Sequence, residues 1–419
     1  MKTTITTLLI FITINTYAQL TINCNSNRFD QEVFSNVTTT NDIQYGSNID
    51  ANGSNLNLTM DIYEPTGDTM QARPLIVWAH GGSFLSGTKN DADVVSLSQH
   101  FAKRGYVCVS INYRLGIPFP INQESALKAV YRAVQDMRGA IRYMRKDAAT
   151  TNLYKIDPNT IFAGGTSAGA FTALHVGYLD KYSEMPIAID TVAMGTIEGN
   201  SGSPGYSSSV NAIIDLCGAL GNKTYLEPGD IPFVAMHGTT DNVVPYATDM
   251  IYVLGAFPVM IVDGSYSVSE YANIIGVHNE MYTYFGAGHV PFVASVAYMD
   301  TTVRFVSNFL YRYFGCSPID PSPFANTFTT GIDLVSSENQ IDLYPNPASE
   351  IIHIQLKEKG IYSIAISDIC GRTISITDVN SDFASIDLSN LNSGVYFYSF
   401  RNNNKFFSGK FIKNGNTKQ

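Results

Sequence analysis

The chain has 419 residues, enough for two or three domains, and 45% are hydrophobic against 15% charged, a balance that supports a sizeable core. Its formal net charge of −10 works against nucleic acid or an anionic membrane as partner, because phosphate binding needs a basic surface. Five cysteines (Cys24, Cys108, Cys217, Cys316 and Cys370) are an odd number, so at least one stays unpaired within the chain.

At the N-terminus, Lys2 precedes the apolar run Leu8, Leu9, Ile10, Phe11 and Ile12, and Ala18 offers a small residue before a cleavage point. This pattern predicts a secretory signal peptide over residues 1–18. The run is too short to span a bilayer, and no later stretch reaches that length. Export permits disulfides. Cys24 and Cys316 flank the first large segment and could tie its ends together, although spacing alone leaves the pairing open.

Residues 33–315 alternate strand-like and helix-like segments, the pattern of an α/β protein with a mostly parallel sheet. Residues 56–63 alternate apolar and polar side chains, as a half-exposed edge strand does. Residues 74–79 and 106–111 are continuous apolar runs, as central strands require. Val94, Val95, Leu97, Phe101 and Ala102 recur at helical spacing, and Leu127, Val130, Tyr131, Val134, Met137, Ile141 and Met144 predict a long amphipathic helix. Further strands are predicted at 160–163, 212–216, 231–236 and 280–285, with a closing helix over 293–313. Cys108 and Cys217 fall in strand segments, where cysteine acts as a small hydrophobe. Residues 181–209, rich in Gly, Ser and Pro, read as an insertion over a functional site, with a plain surface loop equally consistent. Pro318, Pro321 and Pro323 open a polar linker over 317–340. Alternating segments at 351–356, 362–367, 372–377, 395–400 and 405–412 then predict a small all-β sandwich.

The chemistry concentrates on Gly165-Thr166-Ser167-Ala168-Gly169, a G-x-S-x-G sequence placed after a predicted strand and before the helical run 171–178. That context predicts a nucleophile elbow, whose sharp turn needs small flanking residues. A serine hydroxyl needs a base oriented by a third group. Of seven histidines, His100 and His175 fall within helices, His353 lies in the β-rich tail, His278 precedes a strand, and His237 ends one and reads as a packing residue. His289, in the turn Gly286-Ala287-Gly288-His289, is the candidate base. Asp241 follows the strand ending near His237 and is the candidate acid, with Asp215 and Asp263 as rivals. His80-Gly81-Gly82-Ser83-Phe84 is a Gly-rich turn after a strand, and the backbone N–H groups of Gly82, Ser83 and Ala168 are candidates for an oxyanion hole.

Together these motifs resemble the carboxylesterase and hormone-sensitive-lipase branch of the α/β hydrolases. His80-Gly81-Gly82-Ser83-Phe84 is similar to its HGG-x-F/W segment, with Ser83 where many relatives carry a third glycine. Asn112-Tyr113-Arg114-Leu115 is similar to its N-Y-R-L, and Asp136, Ala140 and Tyr143 fit its D-x-x-x-A-x-x-[YW] helix. The resemblance implies an α/β-hydrolase sandwich with a mostly parallel sheet over 19–316, and ester hydrolysis through Ser167, His289 and Asp241 with no metal or organic cofactor. In the tail, Tyr344-Pro345-Asn346-Pro347, the segment from Asp368 to Gly371 and Arg372, and Leu391, Gly394 and Tyr396 resemble the type A sorting domain of the type IX secretion system. That implies export machinery as a partner for residues 341–419, beside a small-molecule or polymeric ester. Two other readings are a prolyl-oligopeptidase-type peptidase and a non-catalytic binding protein on the same fold.

Overall fold

The computed structural model describes residues 22–319, 341–356, 361–367, 373–401 and 406–414. The expected signal peptide, Cys370 and most of the expected linker lie outside the described residues. The chain divides into two units, 1–330 and 331–419.

In the first unit, β1 (Val37–Ile49) pairs antiparallel with β2 (Asn55–Pro65). Then come β3 (Arg73–Ala79), α1 (Ala92–Lys103), β4 (Val107–Ile111), α2 (Gln123–Ala149), β5 (Ile156–Thr166) and α3 (Ala168–Tyr178). After the single turn α4 (Thr191–Met194) follow β6 (Ala212–Leu216), the short β7 (Ala219–Leu220), β8 (Phe233–Gly238), β9 (Thr248–Val253), β10 (Phe257–Gly264) and α5 (Ser265–Ile275). The unit closes with β11 (Asn279–Tyr284), the turn α6 (Pro291–Ala294) and α7 (Val296–Tyr313). Eight strands form one sheet in the order β1-β2-β4-β3-β5-β6-β8-β11. From β4 to β11 every neighbouring pair is parallel, and β2 alone runs against the rest, antiparallel to both β1 and β4.

Every residue of β3 and β4 is buried, as expected of central strands covered on both faces. Their side chains alternate between two cores, as a period of two requires. Leu75, Val77, Val107 and Val109 join α2, α3 and α5 on one face; Ile76, Trp78 and Cys108 join α1 and α7 on the other. The helix α2 starts at a capping box in which Asn122 and Ser125 satisfy each other's backbone N–H groups.

Two expectations need correction, and one element lies outside them. Residues 56–63 do not form the sheet edge: β1 covers them, and β2 is largely buried. β1 escapes detection because Thr, Asn, Asp and Gln interrupt any alternation. Residues 181–209 do not reach over the site. Instead they pack on α2, where Gln135 donates to the Met194 and Thr196 carbonyls and Ser201 donates to Asp136. Finally, β9 and β10 form a hairpin that sequence reasoning left unassigned, sheeted with β7.

Cys24 and Cys316 form a disulfide, their Cα atoms 5.4 Å apart, while Cys108 and Cys217 are free and buried. In the second unit, β12 (Ile341–Tyr344), β13 (Ile351–Leu356) and β16 (Phe383–Asp387) make one antiparallel sheet. β14 (Ile361–Ser367), β15 (Thr373–Asn380), β17 (Gly394–Arg401) and β18 (Phe406–Lys413) make another. Ile352, Ile354, Ile364, Ile366 and Phe411 from the two sheets share one core, which makes this unit a sandwich. Asn346 accepts from the backbone N–H of Ile412, and the Ala348 N–H donates to the Ile412 carbonyl, so the Tyr-Pro-Asn-Pro segment is held on β18. Among the described residues, no helix is long and apolar enough to cross a membrane.

Candidate active site

Ser167 stands between β5 and α3 with φ 54° and ψ −119°, a backbone conformation that side chains rarely adopt. The surrounding glycines make that turn possible. A Cβ on Gly169 would sit 1.9 Å from the Ala79 carbonyl oxygen, and one on Gly165 would sit 2.3 Å from the Gly169 backbone. The Ser167 N–H donates to the Leu216 carbonyl at 2.9 Å, anchoring the turn on β6.

The loop after β11 brings His289 to this serine: Nε2 lies 2.8 Å from Ser167 Oγ, and Nδ1 lies 2.6 Å from Asp241 Oδ2. A carboxylate only accepts, so Nδ1 carries the ring proton and Nε2 is free to take the serine hydrogen. Asp241 Oδ1 accepts from the N–H groups of Val243 and Val244 at 2.9 and 3.0 Å. Its Oδ2 has a second imidazole neighbour, His237 Nε2 at 3.2 Å. Burial opposes ionisation of Asp241, but hydrogen bonds from His237 and His289 outweigh it and hold the carboxyl well below the usual carboxylate range.

The rival carboxylates stand elsewhere. Asp263, in β10, accepts from the Lys223 N–H and the Thr248 hydroxyl. Asp215, in β6, accepts from the Gly218 N–H and contacts Ser265. His80 is buried with Nδ1 2.7 Å from the Gly81 carbonyl, stacked on Tyr113 at 4.4 Å. Tyr113 donates to the His80 carbonyl, and Arg114 forms a buried ion pair with Asp136 at 2.8 Å. The Asn-Tyr-Arg-Leu segment therefore braces the glycine loop and α2 and does not enter the site.

That loop turns through three consecutive positive φ values: Gly82 at 105°, Ser83 at 55° and Phe84 at 59°. Ser83 and Ala168 line one apolar cleft with Ser167, whereas Gly82 does not line it. Gly81 lies against the serine, since a Cβ there would stand 3.3 Å from the Ser167 Cβ. One cleft wall is the β9–β10 hairpin, through Ile251, Val253, Met260 and Val262; Phe84 and Phe171 face it from the loop and α3. Sequence reasoning missed this hairpin. Its turn has Leu254 at φ 54° before Gly255 at 66°, and leucine gives no turn signal.

Residues 60–221 match the BD-FAE family model, and residues 342–414 match the model of the secretion system C-terminal sorting domain. The first match takes in the glycine loop and Ser167 and stops before Asp241 and His289. Among curated proteins, carboxylesterase 3B of Mus musculus is 34% identical over 113 residues, 27% of this chain and 19% of that protein. Phenmedipham hydrolase of Pseudarthrobacter oxydans is 33% identical over 116 residues, 27% of this chain and 22% of that protein. Secreted lipase 5 of Gibberella zeae is 28% identical over 174 residues, 38% of this chain and 31% of that protein. The chain thus spans only 19%, 22% and 31% of the length of these three relatives. Among solved structures, Thermogutta terrifontis esterase 2 aligns at a TM-score of 0.45 and 21% identity, covering 67% of this chain and 96% of that one. A truncated carbohydrate esterase from gut microbiota aligns at 0.46 and 21%, covering 66% and 96%. Residues 60–221 thus carry a BD-FAE (α/β-hydrolase-type esterase) domain match, and residues 342–414 a type IX C-terminal sorting domain.

Proposed function

We propose that the chain is an exported serine hydrolase that cleaves carboxylic esters through an acyl-enzyme on Ser167. His289 Nε2 takes the hydroxyl proton as Ser167 Oγ attacks the ester carbonyl, and Asp241 stabilises the imidazolium that forms. The tetrahedral oxyanion is assigned to backbone N–H groups of Gly82, Ser83 and Ala168. Collapse expels the alcohol, which receives its proton from His289, and water then repeats the sequence to release the acid. The observation that carries this reading is the unbroken run from Ser167 Oγ to His289 to Asp241, at 2.8 and 2.6 Å, opening on an apolar cleft. The cleft favours an apolar acyl group beside Ser167, since its lining offers few polar partners. The sorting domain supports delivery to the cell surface or medium.

The test is a set of p-nitrophenyl esters with a fluorophosphonate probe. Wild type is expected to turn over the esters and to be labelled at Ser167; folded Ser167→Ala is expected to do neither. Ester turnover that survives in Ser167→Ala would overturn the reading.

A further inference from the structure

Beyond Asp241 runs a line of buried polar groups that the hydrolytic step does not use. His237, Ser265 and Asp215 are each fully buried, on β8, α5 and β6. His237 Nε2 lies 3.2 Å from Asp241 Oδ2 and 3.1 Å from the Val244 carbonyl. His237 Nδ1 lies 2.8 Å from Ser265 Oγ, and Ser265 Oγ lies 2.6 Å from Asp215 Oδ2.

Counting hydrogens along this line constrains it. Both neighbours of Nε2 only accept, so Nε2 carries a proton. Three contacts remain, Nδ1 to Oγ, Oγ to Oδ2 and a longer one of 3.3 Å from Oγ to the Gly218 carbonyl. The serine hydroxyl has one hydrogen for all of them, and spending it on Gly218 would leave both shorter contacts in need of a proton. If that hydrogen points at Asp215, then Nδ1 must also be protonated and His237 is a cation. If it points at Nδ1, the 2.6 Å oxygen–oxygen contact must be closed by a proton on Asp215. In both arrangements the line holds one proton more than a neutral imidazole and an ionised carboxylate would. Complete burial favours the arrangement without separated charges. It also raises the Asp215 carboxyl above its usual range, despite the hydrogen bond with Ser265.

We propose that Asp215, Ser265 and His237 are positioning residues, linked as a one-way donor chain from the Asp215 carboxylic acid through Ser265 and His237 to Asp241. This rests on the hydrolase reading above. The chain supplies the fourth donor on Asp241, beside His289 and the N–H groups of Val243 and Val244, and so fills the acceptor sites of a carboxylate. A carboxylate held on all sides keeps His289 aimed at Ser167. Among the other ionisable groups around the chain are Tyr246, edge-on to His237 at 5.8 Å, and Cys217, which senses Asp215 and Asp241; Tyr178, which also senses Asp215, is held neutral by burial. Burial raises Tyr246 and Cys217 as well, so they too stay uncharged near neutral pH.

The full-length protein provides the test. An infrared difference spectrum between wild type and Asp215→Asn at neutral pH is expected to show loss of a carboxylic-acid C=O band; loss of a carboxylate band instead would overturn the proposal. On a p-nitrophenyl ester, His237→Gln, Ser265→Ala and Asp215→Ala are expected to lower kcat by about tenfold or more and to leave KM within about threefold. Asp215→Asn, whose amide N–H can replace the acid O–H, is expected to recover most of the kcat lost in Asp215→Ala. Unchanged kcat in folded Ser265→Ala, or Asp215→Asn as damaging as Asp215→Ala, would also overturn it. Fluorophosphonate labelling of wild type separates the two levels: an unlabelled wild type sinks the hydrolase reading, whereas a labelled one with indifferent variants sinks only the chain.

Discussion

His175 and His289 show how placement alone divides one side-chain chemistry. His289 presents Nε2 to Ser167, whereas His175, inside α3, is closed off, with Nδ1 2.7 Å from the Phe171 carbonyl and Nε2 accepting from the Gly221 N–H. Burial pushes the His175 ring down from 6.5 to about 4. Between those values the unfolded chain binds a proton that the folded chain refuses. The contribution is therefore complete above about pH 6.5 and is lost as pH falls toward 4, a span of about 3 kcal/mol. Urea midpoints measured at pH 7 and pH 4.5 are expected to draw closer together in His175→Gln, whose amide can serve both partners. An unchanged gap would mean that other groups set the acid sensitivity. For the proposed triad acid, Asp241→Asn is expected to cost about 10⁴ in kcat, by analogy with other triads. Asp263→Asn should stay within a few-fold, because that carboxylate is committed to Lys223 and Thr248; the reverse result would transfer the role. Ser167, Asp241 and His289 were legible because each sits on a short loop after a strand, in a chain order that the motifs define. The environment of His237 was not legible, since Ser265 lies 28 positions away and only the sheet brings them together.

At the level of elements, continuous apolar runs and a strand–turn–helix signature were readable, and the elements that depend on a neighbour were not. β3 and β4 declare themselves as continuous apolar runs, and α2 through apolar side chains at helical spacing. β1 is polar and exists because β2 offers it a ladder. The β9–β10 hairpin is half exposed and turns at a leucine, so neither its alternation nor its turn stands out. Yet this hairpin forms one wall of the cleft beside Ser167 and is the element best placed to set acyl length. Ile251→Trp should fill that space. Relative to p-nitrophenyl acetate, kcat/KM for the octanoate ester is expected to fall by about tenfold or more, the scale on which pocket shape discriminates apolar groups. Equal losses on both esters would assign the hairpin a structural role only.

The whole molecule joins two units of different purpose, and the disulfide belongs to the first. Cys24 and Cys316, 292 positions apart, bracket the entire sheet. Closing so long a loop restricts the unfolded chain, and a bond of this kind contributes about 5–6 kcal/mol in the chain-entropy view. In an oxidising compartment it would form and persist. The double variant Cys24→Ser, Cys316→Ser is therefore expected to melt roughly 10 °C lower by calorimetry, with ester turnover at 25 °C little changed, because neither cysteine approaches Ser167. The described residues lining the cleft, and all of Ser167, Asp241 and His289, lie in the unit ending at 330, and α7 closes its core by Tyr313. The sandwich from Ile341 onward has its own core of Ile352, Ile354, Ile364, Ile366 and Phe411. Two cores that share no residue should unfold separately. Truncation after residue 319, which keeps Cys316 and its bond, is expected to leave kcat and KM for a small soluble ester within a few-fold of the full chain. In a host with type IX secretion the same truncation should hold the protein in the periplasm, measured by fractionation. Lost turnover on small esters would make the sandwich part of the hydrolytic unit. A loss confined to insoluble polymer would give it a substrate-binding role in place of export.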